Sequence, residues 1–433
     1  MESRQSRRIV TLVIALAVAA PGLAGAASAT PVLPLDRESV IALARARSSA
    51  ILAGRARLGA ADGEVARATQ WRFNPEVELQ AGTRTTPEGE TWDRSLWLSQ
   101  RLDLAGRGPR AAAARWGLDA AHAEQRATEI DVVAESVRLY LVALHAAAER
   151  AVASDAVALQ ARLHEVAVRR EAAGEVGLIE VNTAAIALAR ALASLARAAA
   201  AGDAALAELA TLLALEPGAV LSVTGDLAWT LPADRGTVFA AAASNPLQAA
   251  FAARRAEAEA RRDAAGAERW PELSIAAGIG REEDADIAGF GLGVSLPLFA
   301  RGKGERLAAA AEAAARDVEL AALERSLADR LERAWNRHAQ LQSALAAYEI
   351  AARDGEARGV DLVELGYREG KLGLGDVLAV RREVLDARQE LLDLRLDTAL
   401  AALEVATLAA LPPLGPIGPT TGAAEPAPSK GTR

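Results

Sequence analysis

The stretch Gly370-Lys371-Leu372-Gly373-Leu374-Gly375-Asp376-Val377 breaks two long helical patterns with three glycines in six residues. A near copy stands at Gly174-Glu175-Val176-Gly177-Leu178-Ile179-Glu180-Val181, 196 residues earlier, so that Gly174 answers Gly370 and Glu180 answers Asp376. A turn that recurs at a fixed offset in matching context marks an internal duplication. The flanks repeat as well. Asn74-Pro75-Glu76 answers Trp270-Pro271-Glu272 at the same offset, and Leu102, Leu104, Arg107 and Gly108 answer Leu296, Leu298, Arg301 and Gly302 at 194.

Around each turn the apolar period is helical. Ile130, Ala134, Val137, Leu141, Leu144 and Ala148 step by four and three before the first turn. Leu320, Leu323, Leu327, Leu331, Ala334, His338, Leu341, Leu345 and Tyr348 form the corresponding seam before the second. A helix from Gly108 to Gly174 is on the order of 100 Å long at about 1.5 Å per residue, and the sustained alternation points to coiled-coil packing. Returning helices reach Leu215 and Ala410. Earlier helices are expected from Asp36, a candidate N-cap, to Arg72 and from Thr237 to Arg269.

Between the helices the period becomes two. Val77, Leu79 and Ala81 alternate with Glu76, Glu78 and Gln80. Trp92, Leu96, Leu98, Leu102 and Leu104 alternate with Asp93, Ser95, Ser99 and Arg101, with Arg94, Trp97 and Gln100 as exceptions. A polar loop is expected over Thr83–Glu90. The second copy sets Leu273, Ile275, Ala277 and Ile279 against Ser274, Ala276, Gly278 and Gly280, then Phe290, Leu292, Val294 and Leu296 against Gly289, Gly291, Gly293 and Ser295, with an acidic loop at Glu282–Asp284 between them.

Composition bounds the class. The 433 residues are 51% hydrophobic but only 3% aromatic, with a net charge of −8. Alanine-rich chains of this kind suit long, closely packed helices. Arg4, Arg7 and Arg8, the apolar run Ile9–Ala20 and Ala27-Ser28-Ala29 read as a cleaved secretory signal over residues 1–29, with Ala24-Gly25-Ala26 as a second cleavage choice. The acidic balance argues against nucleic acid as partner. Without cysteine there is no disulfide and no lipid-bearing N-terminal thiol. No other charge-free run reaches 18 residues, so a transmembrane helix is not expected.

Four strands of membrane length, each with one apolar face, fit either a soluble sheet packed on helices or membrane strands around a wet lumen. The exported chain offers no other core to cover them, which favours the membrane. Edges cannot remain open in lipid, and four strands cannot close a barrel, so several chains must share one.

These features together resemble the TolC-type outer-membrane efflux factors of Gram-negative bacteria over Asp36 to Ala410. The resemblance is carried by the duplicated plan, the Pro-Glu strand starts, the ends Leu-Asp-Leu-Ala-Gly-Arg-Gly and Leu-Pro-Leu-Phe-Ala-Arg-Gly-Lys-Gly-Glu, and the run from Tyr367 to Leu378. It implies a mainly α chain with membrane β: a trimeric 12-stranded outer-membrane barrel continued by a periplasmic α-helical barrel. The repeats would span residues 30–215 (hairpin 76–104) and 237–410 (hairpin 272–299). A linker at 216–236 joins them, and a disordered tail covers 411–433. The implied partners are two further copies, a periplasmic adaptor, an inner-membrane pump and outer-membrane lipid. The strand end before Gly302 is similar to the branch serving heavy-metal cation pumps; drug efflux and type I protein secretion are the alternatives. A non-channel periplasmic coiled-coil tether is the reading from another class.

By the same resemblance Asp376 and Glu180 take acidic-ring positions at the tunnel mouth and Tyr367 an aperture position. Helix capping and dipole stabilisation are the plainer roles for the two acids. Leu372 stands where a basic latch partner is common. The tip residues Gly174, Glu175, Val176, Gly177, Leu178, Gly370, Lys371, Leu372, Gly373 and Leu374 are candidates for adaptor contact, against simple turn chemistry. Trp92, Leu96, Leu98, Phe290, Leu292, Val294 and Leu296 are expected to face the membrane, with Trp92 and Trp97 in an interfacial girdle and Trp71 and Trp270 at the barrel–helix junction. His122, His145, His164 and His338 have no metal-ligand spacing to one another. No nucleophile elbow, phosphate loop or catalytic His-Glu pair is present, so neither an enzyme nor a cofactor or metal site is expected.

Overall fold

The computed structural model describes residues 32–412 except 88, 217, 228, 230, 232–233, 283–284, 297–301 and 369–370, and the side chains of these except at 86, 352–368 and 374. The expected signal segment and most of the expected tail lie outside the described residues. The elements run β1 (Leu33–Leu35), α1 (Arg37–Arg47), α2 (Ser49–Thr69), β2 (Glu76–Thr86), β3 (Gly89–Leu102), α3 (Arg107–Ala172), α4 (Leu178–Leu212), β4 (Leu221–Val223), α5 (Arg235–Ala242), α6 (Pro246–Ala267), β5 (Glu272–Glu282), β6 (Ala285–Ser295), α7 (Lys303–Arg368) and α8 (Leu374–Leu408).

The series of short helix, medium helix, hairpin, long helix and returning helix occurs twice. α3 and α7 each have 66 residues, and α4 and α8 each have 35. Each long helix packs antiparallel on its returning partner, and α6 lies between α3 and α7. The turn after α3 is a Schellman motif. Gly174 has φ +75°, its N–H donates to the Glu171 carbonyl at 2.8 Å, and the Glu175 N–H donates to the Arg170 carbonyl at 2.9 Å.

The returning helices end alike, but on alanine. Ala214 and Ala410 have φ of 48° and 52°, and the Leu215 and Leu411 N–H groups reach back to Ala210 and Ala406 at 3.0 and 2.8 Å. Both leucines then pack on the main core. Leu411, the first residue of the expected tail, thus packs on the core, because its N–H closes the C-terminal cap and brings its side chain onto the bundle.

The first helix of each repeat is split, where the sequence reads as unbroken. Ser48 leaves the helical region (φ −57°, ψ 124°) between α1 and α2. Asn245 does the same between α5 and α6, with Pro246 opening α6. Its side chain accepts from the Leu247 N–H at 2.8 Å and donates to the Leu408 carbonyl at 2.9 Å, so the break is also a tie to the end of α8. Asp36 caps α1 as expected, in a capping box with Ser39 at 2.9 and 3.0 Å. These bonds hold its carboxyl below the ordinary range, the Ser39 side chain first and its backbone N–H second.

The inter-repeat linker also carries structure. β4 pairs in parallel with β1, Leu33 opposite Leu221, and Tyr140 of α3 donates its hydroxyl to the Thr224 carbonyl at 2.5 Å. Trp229 is buried under Arg37, whose guanidinium lies 5.5 Å from the ring centre. The linker therefore closes the main core, which gathers Leu35, Val40, Ile51, Val137, Leu141, Leu209 and Ala402 from β1, α1–α4 and α8.

α4 is long and apolar enough, by length and composition, to cross a membrane, although Arg190, Arg197 and Asp203 interrupt it and no charge-free run in it reaches 18 residues. The alanines between its few charges raise its hydropathy. In the fold it lies antiparallel along α3, and most of its surface is open.

Candidate functional site: a half-open sheet and a helical tip

The two hairpins form one four-stranded antiparallel sheet in the order β2-β3-β5-β6. Strand pairing runs to Thr86↔Gly89, so most of the expected polar loop is strand. Registers Val77↔Leu98, Leu96↔Ile279, Ala277↔Phe290 and Leu273↔Val294 place the alternating apolar residues of all four strands on one face, which Arg94, Arg281 and Asp286 share. Among the described residues no helix lies over that face: Trp92, Leu96, Leu98, Phe290, Leu292, Val294 and Leu296 are all exposed, Phe290 at 75%. In water such a contiguous apolar sheet would be severely unfavourable.

The opposite face carries Glu76, Glu78, Gln80, Arg84, Asp93, Ser95, Ser99 and Arg101. Arg84 bonds Asp93 at 2.9 Å, and Arg101 bonds Glu76 at 3.2 Å. Trp97 lies here, not beside Trp92 in a girdle. Residues 92 and 97 differ in parity and so point to opposite sides of a strand. The glycines opposite make its slot: a Cβ at Gly278 would come within 2.4 Å of the indole, and one at Gly289 within 2.8 Å. Gly278 is the register partner of both Trp97 and Gly289, so the indole spans the seam between the two hairpins.

At the junction of the sheet with the helices the Arg107 guanidinium stacks 4.6 Å from the Trp71 ring centre and donates to the Thr69 carbonyl at 2.9 Å. Arg269 lies 5.5 Å from the Trp270 ring centre. Both indoles are exposed.

At the far end of the helices, the tips of both repeats converge on one small core of Leu163, Ala167, Ala184 and Val377, with Val181 and Leu378 against it. Gly174, Glu175, Gly177, Leu178, Lys371 and Gly373 are exposed, while Val176 and Leu372 are half-buried. Gly370 and the Tyr367 and Leu374 side chains lie outside the described residues. Ile179 is 83% exposed and belongs to the same surface. The tip candidates of the first repeat stop one residue short of it, at Leu178.

Asp376 is exposed and accepts the Gly373 N–H at 3.1 Å. Glycine has no side chain to complete a capping box, so this is the reach-back half alone. Glu180 is half-buried, with Arg170 Nη1 at 3.7 Å, while Arg170 Nε donates to Glu175 at 3.2 Å. A basic partner for an acidic tip residue therefore exists, on α3 of the same hairpin and not at Leu372. The structure also brings together three side chains that sequence spacing did not: His145 of α3 with Glu149 and Asp393 of α8.

Against this geometry the comparisons are consistent. The chain is 26% identical over 401 residues to the cobalt-zinc-cadmium resistance protein CzcC of Cupriavidus metallidurans, covering 88% of this chain and 94% of that one. The solved outer membrane protein VceC of Vibrio cholerae superposes with a TM-score of 0.72 at 19% identity, over 86% of this chain and 96% of the other. The solved CusC, described for its transmembrane channel formation, gives 0.72 at 17% identity over 86% and 91%. The family model for outer membrane efflux proteins matches residues 40–215 and 239–410, nearly all of both repeats, and the chain belongs to that family of outer-membrane efflux channels.

Proposed function

We propose that three copies of the chain form a passive exit duct. A shared 12-stranded barrel would cross the outer membrane, and a helical tube would reach through the periplasm to an adaptor and an inner-membrane pump. The observation that carries this reading is the sheet: one uncovered apolar face, one polar face, and two outer strands, β2 and β6, each with one edge left to pair. Four strands cannot close, so lipid exposure demands further copies. The exposed Leu178 and Ile179 at the helical tip suit a partner surface, and the acids Glu180 and Asp376 suit a cation-attracting ring at its mouth. Metal cations are the cargo this reading favours, because the curated relative is a cobalt-zinc-cadmium resistance protein.

The test is the oligomeric mass of the full chain, expressed with its own leader and extracted in mild detergent, followed by single-channel conductance in a planar bilayer. A conducting trimer whose conductance rises with Asp376→Ala or Tyr367→Ala supports the duct and its gate. A water-soluble monomer that never conducts leaves the tether instead. Cobalt, zinc and cadmium tolerance of a strain lacking the protein, compared with its tolerance of organic toxicants, then separates metal from drug export.

A further inference from the structure

We infer that His145, Glu149 and Asp393 form a binding site for a borderline divalent cation such as Zn2+ or Co2+, at the contact of α3 with α8. His145 and Glu149 are four residues apart on α3 and so lie on one face of the helix. Asp393 comes from α8, 248 positions further on. One donor atom from each of the three lies within 4.8 Å of the others.

The geometry around the imidazole accommodates a cation. His145 is 9% exposed, and its Nε2 is 2.8 Å from Asp393 Oδ1. An ionised carboxylate only accepts, so Nε2 carries a proton and donates. In the neutral ring the Nδ1 lone pair then faces Glu149 Oε2 across 3.7 Å. Two acceptors face each other there at a separation too long for a good hydrogen bond. That separation suits two ligands of one ion: legs of about 2.1 Å to zinc would close it at an angle of about 120°. Asp393 would serve as the carboxylate behind the liganding histidine, fixing its tautomer and raising its basicity.

The surroundings leave the carboxylates available. Neither Glu149 nor Asp393 is in an ion pair with arginine or lysine among the described residues. Arg395, the next guanidinium along α8, is held by Glu349 of α7 at 2.8 Å. The donor set is also not a by-product of the duplication: 196 positions from His145, Glu149 and Asp393 stand Leu341, Leu345 and Arg197. An imidazole–carboxylate pair prefers zinc and cobalt to calcium and magnesium. With two direct protein ligands, water would complete the shell, making the site exchangeable rather than closed. This inference does not depend on what the duct carries.

The test uses the full chain purified in detergent and stripped with chelator. Co2+ is titrated by its visible absorption and displaced by Zn2+, with assembly followed by size and circular dichroism. The expected result is one saturable Co2+ per chain. Glu149→Gln should weaken it at least tenfold and Asp393→Asn about tenfold, as loss of an outer carboxylate does. His145→Leu should abolish it and His122→Gln should leave it unchanged. Absence of saturable binding, or binding that survives His145→Leu, overturns the site. Should His145→Leu fail to assemble, wild-type affinity in both Glu149→Gln and Asp393→Asn overturns it equally. Cobalt binding without metal export would sink the cargo reading while leaving this site standing, and the reverse result would do the opposite.

Discussion

The two repeats share helix lengths, turn positions and strand pairing, yet they bury their long helices differently. α3 is surrounded by α2, α4, α6 and α8, and it buries Val132, Val137, Tyr140, Leu141, Leu144 and Leu163. α7 has an apolar pattern of similar strength but, among its described side chains, buries Ala313, Leu331, Ala334 and His338. Leu307, Val318 and Ile350 stand open to solvent. One sequence plan thus makes an interior helix in one half and an edge helix in the other. An edge helix with exposed apolar positions is incomplete in one chain, as is a sheet with two open edges. Both are surfaces that the proposed assembly of copies would cover.

The sharpest way to break this comparison is to cut equivalent apolar groups in the two helices. Leu141→Ala, in the α3 core, should destabilise the chain by about 2–5 kcal/mol, read as a lower denaturation midpoint in detergent. Val318→Asp on exposed α7 should leave the helical signal of the chain intact and shift its mass from oligomer to monomer. Equal loss of folded structure in both variants would refute the distinction between interior and edge.

The splits in the first helices give a second, smaller contrast. Asn245 bonds both the start of α6 and the end of α8, whereas Ser48 makes no side-chain cap bond. Asn245→Ala should cost about 1–2 kcal/mol through the lost cap and the orphaned Leu408 carbonyl. Ser48→Ala should cost visibly less in the same unfolding titration.

His338 sharpens the comparison by pH. It is buried on α7, edge-on to Trp335 at 6.4 Å between ring centres. Burial pushes its pKa below the ordinary 6.5, and a bond involving Thr398 only partly opposes this. The unfolded chain therefore binds the proton more readily. Stability contributed by the neutral ring is present above pH 6.5 and is lost as pH falls below it. His338→Leu should flatten the loss of thermal stability between pH 7.5 and 5.5; an unchanged slope would show that other groups govern it.

The smallest effect concerns the feature in which the repeats agree. Ala214 and Ala410 hold a backbone conformation that costs L-residues about 1 kcal/mol. Ala214→Gly and Ala410→Gly should each stabilise by about 0.5 kcal/mol, once the glycine's greater unfolded-state freedom is offset. Loss of stability in either variant would mean that the alanine methyl does packing work the cap geometry does not reveal.

Much of the fold was legible in residue order, for physical reasons. Helical and strand periods differ, so the change from steps of three and four around Leu141 to steps of two around Leu292 locates the hairpins without tertiary information. Glycine pairs locate the tips, and parity along β3 already separates Trp97 from Trp92, although the girdle expectation overlooked it. The helix splits were less visible. Asn245-Pro246 is a recognisable cap and first-turn pair, but Ser48 carries no strong breaker. β4 is three residues long and exists only because β1 lies beside it.

The sequence alone determined the duplication, the helix and strand identities and the two-faced strands, because these depend on local periodicity and on turn residues a few positions apart. Only the tertiary structure decided that α3 is enclosed while α7 is not, that Arg170 serves Glu180, and that His145 meets Asp393. Each of these joins side chains from different helices. Which faces of two 66-residue helices turn toward each other is set by packing across the whole chain, and spacing along one strand of residues does not record it.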